Sequence, residues 1–200
     1  MSSIHTESTF ESAIIEHLVS NGWYAGDESD YDKELAFDRR AVLDFIKTSQ
    51  PKEWSKLESY YKHETESKFI YRLLKELDLR DMLDVIRHGI TDSGVKFKLA
   101  YFKPDSNLNP ETSELYKKNK LYVTRQVHFS TKNNKSIDLL LSLNGLPLAT
   151  IELKNHFTGQ RVSEAMEQYK TSRDPKELLF QFKKRALVHF TIDPDDVYLT

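Results

Sequence analysis

The chain has 200 residues, 38% hydrophobic and 30% charged, enough for one domain with a sizeable core or for a core domain carrying an insertion. No apolar run approaches the ~20 residues that span a bilayer, and Met1-Ser2-Ser3-Ile4-His5 lacks the basic-then-apolar pattern of a signal peptide, so a cytoplasmic protein with no membrane partner is expected. The absence of cysteine excludes disulfides, a thiolate nucleophile and cysteine-based zinc or iron–sulfur sites, while the net charge of −2 gives no general pull toward nucleic acid.

In chain order, Phe10, Ile14, Ile15 and Leu18 have one-sided helical spacing, with Ser8 or Thr9 placed to cap the helix and Asn21-Gly22 to stop it. Glu11 and Glu16 lie on this helix. Taken singly both read as solvent-facing carboxylates, although either could turn toward a metal. Trp23 and Tyr24 follow as an aromatic anchor. Residues 26–36 are acidic and turn-like, and from Asp38 to about His88 the pattern is helical, with Pro51 at a helix start and His88-Gly89 at the end. This stretch reads as a helical insertion whose aromatic and leucine residues serve packing.

After Gly94 the texture changes. Val95 to Phe102 and Leu121 to Phe129 alternate with period two and read as strands, separated by a polar loop from Pro104 to Pro110. Two further apolar runs flank Asn144-Gly145 and predict a β-hairpin from Ile137 to Lys154, with its turn near Asn144 to Pro147. A loop over 155–160, a helix over about 162–171 and a strand over 186–192 come next, and then a turn at 193–196 leads into Val197-Tyr198-Leu199. The chain stops at Thr200 in strand-like sequence without a polar tail, which suggests a piece of something longer.

The central hairpin carries the chemistry. Asp138 opens its first strand, and Glu152 and Lys154 close the second, two residues apart and so on one face, with Leu153 turned to the core. Asp138 falls about level with them across the hairpin. Two neighbouring carboxylates repel, and a hard divalent cation with oxygen ligands relieves that, so the pair suggests a Mg²⁺ site with a lysine beside it to hold water or neutralise a phosphate. That outfit suits metal-dependent phosphodiester hydrolysis. The plain alternative is a charged strand end at the water boundary, although doubly buried strands seldom end in charges that have no task.

Charge distribution bears on the partner. Residues 1–100 hold 14 Lys and Arg against 19 Asp and Glu, whereas residues 101–200 hold 15 against 12. Six basic and no acidic residues lie between Lys117 and Lys135, and eight against four between Lys154 and Arg185. These segments flank the hairpin charges in sequence, so a local basic surface could meet a phosphate backbone; a solvated face is the alternative for any single lysine.

The order of helix, acidic hairpin, helix and strand, with Asp138 and Glu152-Leu153-Lys154, resembles the PD-(D/E)xK nuclease core. More closely, Asn119-Lys120-Leu121, Ser136 to Leu141, Asn144-Gly145-Leu146-Pro147, Ile151 to Asn155 and Arg185 to Phe190 resemble the N-terminal nuclease domain of HsdR, the restriction subunit of type I restriction-modification enzymes. The resemblance covers nearly the whole chain. It implies an α/β fold, a mixed central sheet flanked by helices with an insertion over about 38–90, forming one domain over 1–200. It also implies that Asp138, Glu152 and the Leu153 carbonyl bind Mg²⁺ and that Lys154 assists the attacking water. Glu11 resembles the first-helix glutamate of such nucleases. Ile137 stands where the motif's name has proline. Many members carry Gln-x-x-x-Tyr in the following helix; here Gln168 directly precedes Tyr169, and Gln168 is the candidate for that polar role.

The implied activity is Mg²⁺-dependent endonucleolytic cleavage of double-stranded DNA, with sequence specificity supplied by methyltransferase and specificity subunits. Family members continue into ATP-driven motor domains, but no Gly-x-x-x-x-Gly-Lys-Ser/Thr loop occurs here, so ATP belongs to the parent chain. The alternative is a DNA-binding or docking module with a vestigial nuclease centre. A remoter third is a nuclease of similar core acting alone in repair or defence.

Overall fold

The computed structural model describes residues 7–105, 109–154 and 173–199. Helix α1 (Glu7–Ser20) lays Phe10, Ile14, Ile15 and Leu18 against a sheet cluster of Val123, Leu139, Ile151 and Leu153. Because it already includes Glu7, Ser8 and Thr9 lie inside its first turn and not at the cap expected of them. The chain leaves the helix through Gly22 at φ +90°, a backbone conformation that glycine adopts without a steric penalty. Trp23 then joins the same apolar cluster, and β1 (Tyr24–Ala25) forms one edge of the main sheet.

A 3₁₀ turn and a small ribbon, β2 (Tyr31–Asp32) with β3 (Phe37–Asp38), lead into four helices. These are α2 (Arg39–Ser49), α3 (Pro51–Tyr61), α4 (Thr65–Leu79) and α5 (Met82–His88). Their boundaries have local causes. The Asp38 carboxylate accepts from the Ala41 N–H at 2.8 Å and caps α2, Pro51 opens α3, and Asp81 caps α5 through the Asp84 N–H. Their apolar faces meet around Phe69, whose ring lies edge-on to Trp54 at 5.6 Å and to Phe97 at 5.1 Å. Each fully buried side chain of this size contributes roughly 1.5–3 kcal/mol, which is what holds the helices together.

The strand expected over Val95 to Phe102 is shorter. Only β5 (Val95–Phe97) forms, as a hairpin with β4 (Ile90–Asp92), which the sequence had not signalled. Beyond the polar loop a further unforeseen helix, α6 (Pro110–Lys117), starts at Pro110 with Asn109 as its cap, its side chain accepting from the Glu111 N–H.

The main sheet is completed by β6 (Leu121–His128), β7 (Ser136–Leu143), β8 (Leu146–Leu153), β9 (Val188–Ile192) and β10 (Val197–Leu199), in the order β1-β6-β7-β8-β9-β10. The β1–β6 and β8–β9 pairs are parallel and the others antiparallel, which makes the sheet mixed. The hairpin turn is tighter than expected. Asn144 (φ +53°) and Gly145 (φ +88°) form a two-residue loop between Leu143 and Leu146, the geometry that follows the strands' right-handed twist. A Cβ on Gly145 would lie 2.5 Å from the Asp38 carbonyl oxygen, so glycine is required there both by φ and by space. The turn is also tied down: the Asn144 side chain accepts from the Lys120 N–H and donates to the Leu99 carbonyl and to Asn119 Oδ1. Among the described residues no helix is long and apolar enough to cross a membrane.

Candidate active site

The register of the central hairpin decides which charges meet. Next to the turn Leu143 pairs with Leu146 and Ser142 with Pro147, but further on Leu141 pairs with Ala149, Leu140 with Thr150 and Leu139 with Ile151. The shift between Ser142 and Leu141 leaves Leu148 as an extra residue, a β-bulge. Continued one step, the shifted register sets Asp138 opposite Glu152. Without the bulge Asp138 would face Ile151, and the two carboxylates would point to opposite faces of the sheet. Leu148 is fixed by its neighbour, since its carbonyl accepts from the Leu187 N–H at 2.8 Å. A single inserted residue near the turn thus brings together two acids some five residues away.

Each acid is held by the chain. Asp138 accepts from the Leu153 backbone N–H at 2.7 Å and from the Gln126 amide at 3.3 Å. Glu152 is buried, 6% exposed, and ion-paired with Arg173. Burial pushes the Glu152 pKa up to about 7; Arg173 and Lys154 oppose that shift, and the charge of Asp138 adds to it. Lys154, half-buried, follows at the strand end, its backbone N–H bonded to the Ile192 carbonyl in the ladder with β9. Leu153 between them is fully buried in the α1-facing cluster, as the alternation required.

Glu11 departs from its solvent-facing expectation. It is 4% exposed and accepts from Arg125 Nε at 2.6 Å and from the Gln126 amide at 2.9 Å, whereas Glu16 lies in solvent. Gln126 therefore links Glu11 to Asp138 and joins α1 to the hairpin pair. It does so from a left-handed backbone, φ +50°, at a strand position where the β6–β7 ladder skips a pair between Arg125–Leu139 and Val127–Ile137. Such a conformation costs a non-glycine residue about 1–3 kcal/mol and persists only where its surroundings impose it. Beside Arg125 and Gln126 lies an open cleft of about 520 Å³, lined also by Ala25, Gly26, Asp27 and Glu28.

Gln168 and the helix expected around it lie outside the described residues. The basic segment from Lys117 to Lys135 is divided by the fold. Lys120 adjoins the Asn144 turn, while Lys132 and Lys135 lie in the connection that enters β7 next to Asp138. Of the residues that sequence reasoning missed, Arg125 had left a trace, since it stands where the alternation of β6 calls for an apolar side chain. Arg173 had left none: only the fold brings it to Glu152.

Among the described residues no group of three or more His, Asp or Glu side chains is arranged to hold a metal ion. The donors at hand are a carboxylate pair and the neighbouring backbone carbonyl, all hard oxygen ligands, and the burial that raises the Glu152 pKa leaves its carboxylate poorly hydrated. In chemical character the residues fit a hard divalent cation.

A six-stranded mixed sheet flanked by helices, with an acidic pair at the open end of its central hairpin, has the architecture of an α/β nuclease-like core. The chain belongs to the family of the type I restriction enzyme R protein N terminus, whose model matches residues 4–200. A search of curated proteins finds no match. Membership of an R-subunit family implies a restriction complex with further subunits.

Proposed function

We propose that this chain is the Mg²⁺-dependent endonuclease domain of a type I restriction enzyme R subunit, hydrolysing phosphodiester bonds of double-stranded DNA. The observation that carries the proposal is the juxtaposition of Asp138 and Glu152 by the bulged register, with Lys154 at the same strand end. In this reading helices α2 to α5 are an insertion into the nuclease core of a longer cytoplasmic chain, ATP-driven translocation belongs to motor domains elsewhere, and methyltransferase and specificity subunits choose the DNA.

The Asp138 and Glu152 carboxylates and the Leu153 carbonyl would hold the cation, which would supply charge to a phosphate and acidify a water molecule. The Leu153 N–H fixes one oxygen of Asp138, so the carboxylate is oriented before any ligand arrives. Lys154 places an ammonium at the strand end to hold the attacking water or to meet negative charge developing on the phosphate. Glu11 orients Gln126, and through it Asp138, from α1.

A docking module with a vestigial centre is the second reading, and one observation favours it: Glu11, Asp138 and Glu152 already have partners from within the chain. Plasmid cleavage by the assembled complex separates the two. Glu152→Gln is the variant of choice, because its amide oxygen can still accept from the Arg173 guanidinium, which alanine would leave buried with no acceptor there. Cleavage that requires Mg²⁺ and is lost in Glu152→Gln, with DNA binding retained, is the expected result. Wild-type cleavage by the variant would establish the vestigial centre.

A further inference from the structure

Arg173 is the strongest feature of the site that the proposed chemistry does not use. Its guanidinium pairs with Glu152, and both side chains are largely withdrawn from solvent, 12% and 9% exposed. It is also socketed. The guanidinium carbon lies 5.1 Å from the centre of the Phe129 ring and 5.9 Å from that of Phe180, and these rings pack edge-on at 4.8 Å. A guanidinium held between two aromatic rings and a buried carboxylate is a built contact and not a surface arginine that happens to reach an acid. Asp138, opposite Glu152, is instead held by neutral donors, the Leu153 N–H and the Gln126 amide.

We propose that Arg173 is the resident counter-ion of the carboxylate pair, occupying the Glu152 side of the site until a divalent cation displaces it, and so setting how tightly that cation binds. The physical ground is competition. A buried carboxylate beside a half-buried one needs positive charge nearby, and a divalent ion arriving at Glu152 must either expel the guanidinium or tolerate a like charge a few ångströms away in a poorly screened place. The inference rests on the reading of Asp138 and Glu152 as a cation site.

The test is Mn²⁺ binding to the chain by calorimetry at pH 8, with melting curves in EDTA and in Mn²⁺. Arg173→Gln removes the charge and keeps a polar side chain, so it should bind Mn²⁺ on the order of tenfold more tightly than wild type. Its melting temperature should fall in EDTA and recover toward wild type in Mn²⁺. Arg173→Lys keeps the charge and should keep wild-type affinity, a difference that a purely structural role would not produce. Unchanged or weaker Mn²⁺ binding by Arg173→Gln, with binding still abolished in Glu152→Gln, overturns the inference and leaves the cation site standing. Failure of the wild-type chain to bind Mn²⁺ overturns both. Should Arg173→Gln fail to fold, Arg173→Met, uncharged and apolar like the Phe129–Phe180 socket, decides: Mn²⁺ binding tighter than wild type supports competition by charge, and unchanged or weaker binding overturns it.

Discussion

The two ends of the β7–β8 hairpin bury polar groups in different ways. At the turn, Asn144 is 2% exposed and its amide meets backbone atoms of Leu99 and Lys120 and the side chain of Asn119, all neutral partners fixed by the fold. At the open end the buried groups are ions. Glu152 and Glu11 face Arg173 and Arg125, and the half-buried Asp138 beside them takes one backbone N–H and one amide. A neutral network of this kind has one satisfactory arrangement, and breaking it costs roughly 1–3 kcal/mol per stranded group. A carboxylate can take one cation in place of another and keep its charge matched. The turn end therefore defines geometry, and the open end is where the proposed cation would enter.

The largest effects should separate cleanly along this line. Lys154→Ala is expected to lower cleavage by the assembled enzyme about 10²–10⁴-fold, as loss of a positioned proton-transfer or charge-stabilising group does, with Mn²⁺ binding and unfolding midpoint near wild type. Gly145→Val should do the reverse, lowering stability by about 3 kcal/mol or more in urea denaturation, since its Cβ would collide with the Asp38 carbonyl at φ +88°. If Lys154→Ala cleaved like wild type, or unfolded as readily as Gly145→Val, the open end would be structural too.

A smaller effect sharpens the contrast by pH. Burial raises the Glu152 pKa from the ordinary 4.5 to about 7, so the folded state binds a proton that the unfolded state has released. The stability contributed by that proton is complete below about pH 4.5 and lost as pH rises through 7. Without metal, the wild type should therefore lose stability between pH 5 and about 7.5 relative to Glu152→Gln, read from urea midpoints in EDTA. A difference that stays flat, or opens the other way, would mean that Arg173 outweighs burial.

Much of this was legible in the sequence for local reasons. A period-two run marked β6, two apolar runs marked β7 and β8, Asn-Gly marked the turn, and the facing of Glu152 against Leu153 followed from alternation. The long motif holds two kinds of residue: Asn119, Asn144, Gly145 and the buried Arg185, which donates to the Leu35 carbonyl, maintain the fold, and the hairpin charges are those to which the chemistry is proposed to belong. What escaped was non-local. The bulge at Leu148, which puts Asp138 level with Glu152, is bonded to Leu187 across the sheet. The burial of Glu11 needs Arg125 and Gln126 from another element, and Arg173 reaches Glu152 from twenty-one residues away. Helix α6 was hidden because its short sequence, Pro110 to Lys117, has no buried residue to give it a periodic face.

The smallest expected effect concerns DNA. Sequence adjacency makes Lys117, Lys118 and Lys120 flank the carboxylates, but the fold sets Lys120 beside the turn, with Asp138 near the far end of β7. Five residues of strand separate Asp138 from Leu143 at the turn, roughly 17 Å at ~3.3 Å per residue. These lysines are also engaged locally: Lys117 pairs with Glu114, Lys118 donates to the Thr48 carbonyl, and Lys120 lies over the Tyr24 ring. Lys132 and Lys135 stand at the open end instead, and they too have local partners, Lys132 lying 3.9 Å from the Glu177 carboxylate. If DNA is bound where it is cut, reversing Lys132 and Lys135 to glutamate should weaken non-specific binding and flatten its salt dependence, by about one released counterion for each lost phosphate contact. Reversing Lys117, Lys118 and Lys120 should change that slope less. A slope that responds to the turn-end lysines alone would place the duplex on the other end of the hairpin, away from the carboxylates, and would favour a docking surface over a cutting one.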